Sequence, residues 1–382
     1  MRIASVETFV LGDRRLLVRI GTDSDLVGWG EATLETWVGP VATVVAQMAD
    51  YLVGTDPRRI TAHWQVLTRG GFYRGGPVMA SAVAGIDQAL WDLAGRRHGV
   101  PVHELVGGAV RTHVRLYRHA NIDGRIGDPV RARELADEGY TMVKVAPTEP
   151  VRFIDTEETM QGLVAELAEL RAAVGAGVDI AVDLHGRFSV PQSRRFLART
   201  EHLGLAFVEE PLRPEHSSLI GDLTRQTATP IATGERLYSR AEFEPVLRAG
   251  IALAQPDLSH AGGISEVLRI GALAEVFDVH LAPHCPLGPV AFAACVQVDA
   301  ALPNVAVQEA MIDFAGLLDD DEHAYVRNRG DWMPESGYLP VPTGPGLGLE
   351  IDEDIVRERA AEVAPSVALW WSDPRDGSYV EW

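Results

Sequence analysis

Three acidic residues follow three successive apolar runs at near-equal spacing. Asp183 ends the run DIAVD, Glu209 ends LAFVE, and Glu235 ends PIATGE. If each run is a strand of one parallel barrel, the carboxylates converge at one mouth and repel each other unless a cation neutralises them. An all-oxygen set suits Mg²⁺ or Mn²⁺ better than zinc. A helix cap or an ion pair would explain one such acid equally well, but three on successive strands predict metal ligands.

Two histidines occupy similar positions relative to such runs. His185 follows Asp183 by two residues, so in an extended segment both side chains point to the same side. His284 ends the run VHLAPH, one repeat unit after Asp257. A carboxylate against a ring nitrogen fixes the tautomer and raises the basicity of the histidine, so we expect His284 and Asp257 to act as a general base. For His185 taken singly, a structural hydrogen bond is the alternative.

These residues need a repeating framework to bring them together. After about residue 112, short apolar runs alternate with amphipathic helices, which predicts parallel strands joined by right-handed crossovers. With a further strand at residues 114–117, eight strands can be counted, enough to close an α/β barrel of the (β/α)8 TIM type. A doubly wound sheet is the competing fold, but the glycine-rich phosphate turn GxGxxG that it calls for is missing. The other predicted strands end near Lys144, Asp183, Glu209, Glu235, Asp257, His284 and Glu309.

The chain is predicted to divide into three parts. Residues 1–112 combine strand-like and helical runs and are expected to form an α+β capping domain. Residues 113–345 form the barrel. Residues 346–382 are a tail that is expected to pack on the capping domain, because an exposed aromatic tail is unfavourable. Its tryptophans are Trp370, Trp371 and Trp382.

Composition limits the partners of the protein. Its 382 residues include 34 basic and 54 acidic side chains, and the net charge of −20 disfavours nucleic acid and anionic membranes. Two cysteines, Cys285 and Cys295, are too few for a disulfide framework and indicate a reducing compartment. No apolar stretch reaches the roughly 18 residues of a membrane span, and the first residues lack the apolar core of a signal peptide. We therefore expect a cytoplasmic protein.

Short sequence motifs along nearly the whole chain resemble those of a known family. In chain order they are GGFYRGGP, GIDQALWDLAG, VDLHGR, FVEEP, ATGER, QPDLSHAGG, LAPHCPLGP, VQEA and PGLGLEID. Together they resemble the mandelate racemase branch of the enolase superfamily and, within it, the D-galactonate dehydratases.

The resemblance implies a fold, a metal and a reaction. It implies an α+β capping domain on a modified (β/α) barrel, a homo-oligomer, and Mg²⁺ held by the three strand-end acids. The reaction begins with removal of the proton α to the carboxylate of a small anionic sugar acid, an aldonate such as D-galactonate. Loss of the 3-hydroxyl then gives a 2-keto-3-deoxy sugar acid. Stabilising the doubly charged enediolate requires a cation and nearby donors.

The same resemblance assigns roles to individual residues. His284, paired with Asp257, would be the base. Glu309 would be protonated and hydrogen-bonded to the substrate carboxylate. His185 would be the general acid that protonates the departing 3-hydroxyl.

One departure from the family pattern favours elimination. Racemases and cycloisomerases of the superfamily place a Lys-x-Lys pair at the end of the second strand, whereas this chain reads Lys144-Val145-Ala146. Racemisation needs proton donors and acceptors on both faces of the substrate, so the missing second lysine favours a dehydratase. Lys144 is predicted to contact the substrate carboxylate or a metal ligand, with a structural lysine that reaches solvent as the alternative.

A second departure concerns the substrate. The first barrel strand reads Tyr117-Arg-His119-Ala-Asn121, which is more similar to mannonate dehydratases, so His119 and Asn121 become substrate-contact candidates. Arg74 is a further candidate, in the glycine-rich loop 69–77 that is either a lid or a long connection. The particular sugar acid stays open. Two other functions also stay open: a racemase or epimerase of a related 2-hydroxy acid, and a catalytically silent metabolite-binding barrel.

Overall fold

The structure is a computed structural model that describes residues 1–12, 15–149, 153–314, 317, 322–361, 372–373 and 376–380. Strands and helices are numbered in chain order. The strands are β1 (Ile3–Leu11), β2 (Arg15–Thr22), β3 (Val27–Glu31), β4 (His113–His119), β5 (Met142–Val145), β6 (Asp179–Asp183), β7 (Phe207–Glu209), β8 (Ile231–Thr233), β9 (Leu253–Ala254), β10 (His280–Leu281), β11 (Gln308–Glu309), β12 (Tyr338–Pro340) and β13 (Ala360–Ala361). The α-helices are α1 (Val38–Leu52), α2 (Ile60–Arg69), α3 (Pro77–His98), α4 (Val102–Leu105), α5 (Pro129–Asp137), α6 (Glu157–Val174), α7 (Val190–Thr200), α8 (Ile220–Thr224), α9 (Arg240–Arg248), α10 (Ile264–Glu275), α11 (Pro289–Ala301) and α12 (Glu353–Arg359). Short 3-10 helices cover Glu201–Leu203, Pro214–Leu219 and Arg329–Trp332.

The N-terminal residues form an antiparallel sheet with helices packed on it. The strand order is β13-β1-β2-β3. Helices α1 and α3 pack against this sheet and bury an apolar cluster that includes Ile20, Val41 and Leu90. Strand β3 approaches α3 so closely that a Cβ atom at Gly30 would lie 2.1 Å from the carbonyl oxygen of Gly85. Only glycine allows this contact.

Helix α3 begins earlier than the apolar periodicity predicts. The spacing predicts a helix over 81–99, whereas α3 spans Pro77–His98. Proline in the first helical turn explains the earlier start, because its fixed φ suits that position and its missing N–H is not needed there. The helix ends as predicted at Gly99, which adopts the left-handed conformation with a φ of 69°.

Eight parallel strands form a barrel. The ring order is β4, β5, β6, β7, β8, β9, β10 and β11, and β11 pairs with β4. A parallel bridge between Leu281 and Val305 joins the last two members of the ring. The predicted α/β barrel with a separate N-terminal unit is therefore confirmed. Strand β12 pairs with β4 in the antiparallel direction.

The barrel interior explains why the chemically active residues converge. A buried layer inside the strands consists of Tyr117, Met142, Ala181, Phe207, Ala232, Ala282 and Val307. Side chains alternate along a strand, so the residue two positions later faces the same interior, one layer nearer the C-terminal mouth. At six of these seven positions that residue is one of His119, Lys144, Asp183, Glu209, His284 and Glu309.

The described C-terminal residues return to the N-terminal sheet. Strand β13 pairs antiparallel with β1, and Arg357 Nη2 donates to Glu7 at 3.1 Å. The tail tryptophans Trp370, Trp371 and Trp382 lie outside the described residues. The domain boundaries after residues 112 and 345 stay predictions. Among the described helices, none combines the length and the apolar character that crossing a bilayer would need.

Candidate active site

Three carboxylates meet at the C-terminal mouth of the barrel. Asp183 and Glu209 are the last residues of β6 and β7 and are direct register partners. Glu235 lies two residues beyond β8, after Gly234, whose φ of 146° suits glycine. One carboxylate oxygen from each acid lies within 4.8 Å of the other two. The fold thus brings together the three residues that the sequence predicts as metal ligands.

The charge state of this trio fits a divalent cation. Burial raises the pKa of Glu209 well above its ordinary value, and the charge of Asp183 raises it further. Burial also raises the pKa of Glu235, whose Oε2 atom is buried without a hydrogen bond among the described residues. A cation stabilises the ionised form of such carboxylates. The all-oxygen donor set matches the preference of hard divalent ions.

Lys144, the only lysine in the chain, lies among these acids. Its Nζ atom is 2.9 Å from Glu209 Oε1, 3.3 Å from Asp183 Oδ2 and 2.6 Å from Glu309 Oε1. The side chain is only 2% exposed, so the alternative of a lysine that reaches solvent is wrong. Burial lowers the pKa of Lys144, but the surrounding carboxylates raise it well above its ordinary value. The surrounding carboxylates therefore favour the ammonium form of Lys144.

Glu309, the last residue of β11, is held by polar contacts on both of its carboxylate oxygens. Its Oε1 atom accepts a hydrogen bond from His119 Nε2 at 2.7 Å in addition to the Lys144 contact, and its Oε2 accepts from the backbone N–H of Cys285 at 2.7 Å. Burial raises the pKa of Glu309, but Lys144 and His284 hold it well below its ordinary value. Protonation of Glu309 in the substrate complex, which the family resemblance implies, stays a prediction.

His284 and Asp257 make the expected contact. His284 lies three residues after β10, and its Nδ1 atom is 2.8 Å from Asp257 Oδ2. Its Nε2 atom faces the three acids at the mouth, 3.5 Å from Glu235 Oε2. Burial lowers the pKa of His284, but the charges of Glu235, Glu309 and Asp257 raise it well above its ordinary value. The Asp257 contact places the Nδ1 proton between the two residues and directs Nε2 toward the mouth.

His185 approaches the acids from the other side. Its Nε2 atom is 2.9 Å from Asp183 Oδ2, and its backbone N–H donates to Asp183 Oδ1 at 2.8 Å. The residue has a φ of 50°, an uncommon conformation for a side chain other than glycine. Strands β6 and β10 are four positions apart in the ring of eight, so His185 and His284 face the mouth from opposite sides.

The two candidates on the first barrel strand are linked to the same cluster. Asn121 Nδ2 lies 3.4 Å from Nδ1 of His119, and Asn121 Oδ1 accepts from the backbone N–H of Ala146 at 3.0 Å. Burial lowers the pKa of His119, which favours a neutral ring that donates through Nε2 to Glu309. His119 and Asn121 therefore help to orient Glu309. Their contact with substrate stays a prediction.

Arg74 lies apart from these residues. Its side chain is exposed, and Nε donates to the carbonyl oxygen of Gly71 in the same loop at 3.0 Å. With Tyr73 and Arg240 it lines a cleft of about 370 Å³, and none of the strand-end acids is among the lining residues described there. Substrate contact through Arg74 stays a prediction.

Two residues without a predicted role support the site: Glu31, from the capping unit, and His260, from the loop that carries Asp257. Glu31 accepts from the backbone N–H groups of Gly288 and Ala291, both at 3.0 Å, at the start of α11. His260 Nδ1 lies 3.7 Å from Asp257 Oδ2. The spacing of His260 three residues after Asp257 was a usable signal. Glu31 carried none, because Gly288 lies 257 residues away in the chain.

The sequence matches two family models that together cover most of the chain. Residues 4–107 match the N-terminal domain of mandelate racemase / muconate lactonizing enzyme, and residues 129–355 match the enolase C-terminal domain-like family. Among curated proteins, D-galactonate dehydratase of Ralstonia nicotianae is 44% identical over 392 residues, and that of Pectobacterium atrosepticum is 40% identical over 388 residues. Both alignments cover 100% of this chain and 100% of the relative.

Solved structures agree with these matches. The crystal structure of an enolase from Agrobacterium radiobacter with bound sodium and L-malate is 31% identical, has a TM-score of 0.89, and is covered along 100% of both chains. A mandelate racemase/muconate lactonizing enzyme from Jannaschia sp. CCS1 is 28% identical with a TM-score of 0.86, over 96% of this chain and 99% of the other.

Proposed function

Since the chain belongs to the mandelate racemase / muconate lactonizing enzyme family of the enolase superfamily, we propose that it is an acid sugar dehydratase, a hydro-lyase. Its substrate would be an aldonate such as D-galactonate, and its product a 2-keto-3-deoxy sugar acid. The full-length identity of 44% to a D-galactonate dehydratase supports this substrate class.

One observation carries the proposal. Two histidines face the carboxylate trio from opposite sides of the barrel mouth, His284 at 3.5 Å from Glu235 and His185 at 2.9 Å from Asp183. Elimination of water requires a base at the α-carbon and an acid at the departing hydroxyl, which are separate positions on the substrate. A pair of separated proton-transfer groups meets that requirement.

In this proposal each histidine handles one proton. His284 takes the α-proton at Nε2, while Asp257 keeps the Nδ1–H in place and stabilises the imidazolium that forms. His185 gives a proton to the 3-hydroxyl as the C–O bond breaks. Lys144 donates to one oxygen of the substrate carboxylate, and Glu309, protonated in the substrate complex, donates to the other; the two side chains lie 2.6 Å apart. A racemase is disfavoured because Lys144 is bound by three acids and Ala146 replaces a second base.

We also propose that Asp183, Glu209 and Glu235 hold Mg²⁺, with Mn²⁺ as an alternative. The buried all-oxygen set supports this assignment, and so does Glu235 Oε2, which makes no hydrogen bond among the described residues. When bound, the cation would supply positive charge that stabilises the enediolate.

Two further proposals concern the setting of the enzyme. We propose a cytoplasmic location, supported by the free thiols of Cys285 and Cys295, which are both buried. We also propose a homo-oligomer. The family resemblance supports it, and so do the exposed aromatic side chains of Phe72 and Tyr73 at the tip of a loop.

The roles of the two histidines can be separated by substitution. In His185→Asn we expect dehydration of D-galactonate with Mg²⁺ to fall by about 10²-fold or more, as for loss of a general acid. Exchange of the substrate α-proton with D₂O should persist, because His284 is intact. In His284→Asn both reactions should be lost. Proton NMR of the substrate and colorimetric detection of 2-keto acid measure the two rates.

His202→Asn is a matched control, since His202 is exposed on the barrel surface. It should change neither rate. Equal loss of exchange and dehydration in His185→Asn would refute the role of His185 as leaving-group acid.

A further inference from the structure

We propose that His260 is a positioning residue that holds Asp257, and through it the base His284, in place. Asp257 and His260 are buried and His284 is partly exposed, and one nitrogen or carboxylate oxygen of each lies within 4.8 Å of those of the other two. This inference rests on the proposed role of His284 as base and adds a residue to its support.

Asp257 is contacted from three directions. Its Oδ2 atom lies 2.8 Å from Nδ1 of His284 and 3.7 Å from Nδ1 of His260. Its Oδ1 atom accepts from the backbone N–H of Ser259 at 2.6 Å. Burial raises the pKa of Asp257, but the charge of His260 and both the hydrogen bond and the charge of His284 hold it below its ordinary value. His260 therefore helps to keep Asp257 ionised and fixed opposite His284.

The other nitrogen of His260 reaches the capping side. Its Nε2 atom lies 3.0 Å from the carbonyl oxygen of Thr33 and 3.7 Å from Glu35 Oε2. A carbonyl oxygen only accepts, so Nε2 carries a proton. The Nδ1 atom faces Asp257 from the opposite edge of the ring, so His260 bridges the carboxylate and the capping side.

Thr33, whose carbonyl oxygen contacts His260, is itself held by further hydrogen bonds. The hydroxyl of Thr33 donates to Glu31 Oε1 at 2.9 Å and accepts from the backbone N–H of Leu16 at 3.0 Å. Gln88, on helix α3, donates to the carbonyl oxygen of Leu258 at 3.1 Å. The loop that carries Asp257 is thus held at several points by the N-terminal unit, and His260 is the point that reaches the carboxylate.

Two amide substitutions of His260 test the contacts of its two ring nitrogens separately. Asparagine places its amide nitrogen near the position of Nδ1, and glutamine places it near Nε2. If the Asp257 contact matters, His260→Asn should keep most of kcat, whereas His260→Gln should lose about 10- to 100-fold in kcat, as other supporting residues do, with little change in KM. The bell-shaped pH profile of kcat should shift in His260→Gln. His280→Asn is the matched control, because His280 is exposed.

A second readout does not depend on turnover. The proton between His284 Nδ1 and Asp257 gives a downfield NMR signal, assigned by its loss in His284→Asn. We expect this signal to persist in His260→Asn and to shift or broaden in His260→Gln. If the wild type converts no aldonate, the proposed function fails, and this signal still decides the role of His260. Unchanged signals and kcat in both variants, or losses that only follow thermal stability, would overturn the inference.

Discussion

Lys144 sets the charge balance of the barrel mouth. Every other basic residue counted in the chain is an arginine, yet the position among three carboxylates is a lysine. An ammonium is a compact charge with three donors and fits between Asp183, Glu209 and Glu309, whereas a guanidinium is a larger planar fork. The residue type therefore follows from the geometry of its partners.

Removing this charge should destabilise the protein. Lys144→Met keeps the length of the side chain but leaves buried acids unpaired, so we expect the free energy of unfolding to fall by about 3–5 kcal/mol without divalent cations. Mg²⁺ should recover part of this loss, because it binds the folded state. Urea unfolding with EDTA or with Mg²⁺ measures both effects. Arg97→Met, an exposed control, should change little. A loss below about 1 kcal/mol would show that Lys144 does not balance these acids.

At this scale the sequence predicts position better than charge state. The ends of the apolar runs placed Asp183, Glu209 and Glu309 correctly, because strand alternation alone decides which way they point. The direction in which the pKa of Glu309 shifts depends on the distance to Lys144, and the strands that carry the two residues, β11 and β5, lie on either side of β4. Such distances follow from packing and not from any local pattern.

Among the elements, the helices of the barrel depend on acids from the N-terminal unit. Asp87, on α3, accepts from the backbone N–H of Ser265 at 2.8 Å and from its hydroxyl at 2.6 Å, at the start of α10. Burial raises the pKa of Asp87 to about 7. Ionisation of Asp87 is therefore less favourable in the folded protein than in the unfolded chain.

This cost predicts a pH dependence of stability. Between pH 4 and 7 the carboxyl of Asp87 is ionised in the unfolded chain but holds its proton in the folded one, so its contribution to stability is complete below pH 4 and lost as the pH rises to 7. The free energy of unfolding of the wild type, relative to Asp87→Asn, should fall across this range by at most about 4 kcal/mol. Urea unfolding at stepped pH measures it.

The exposed Asp50, on α1, provides the control. Asp50→Asn should follow the wild-type slope between pH 4 and 7. An identical slope in Asp87→Asn would mean that Asp87 titrates normally in the folded state.

The sequence predicts which segments are barrel strands but not where each strand ends. The barrel strands β8, β9 and β10 span only two or three residues, so Glu235, Asp257 and His284 lie beyond the strand ends and not at them. Loops carry these side chains to the mouth, and loop paths are set by tertiary contacts such as those of Asp87 and Glu31.

For the whole molecule, the net charge of −20 describes the surface better than the site. A small anionic substrate approaches an acidic protein, so attraction must be local. Lys144 offsets part of the charge of the buried acids, and a cation held by Asp183, Glu209 and Glu235 would offset more. The two-part architecture was predictable from the period of the strands, whereas the contacts between the parts were not, because they join residues far apart in the chain.

We propose that this barrel removes water from an aldonate with one base and one separate acid. The most direct measurement is ¹³C NMR of D-galactonate and other aldonates incubated with the wild-type protein and Mg²⁺ in D₂O. We predict a 2-keto-3-deoxy acid that carries solvent deuterium at C3, from at least one member of the panel. Deuterium at C2 or epimerised substrate without any keto acid, or no reaction of any aldonate, would contradict the account.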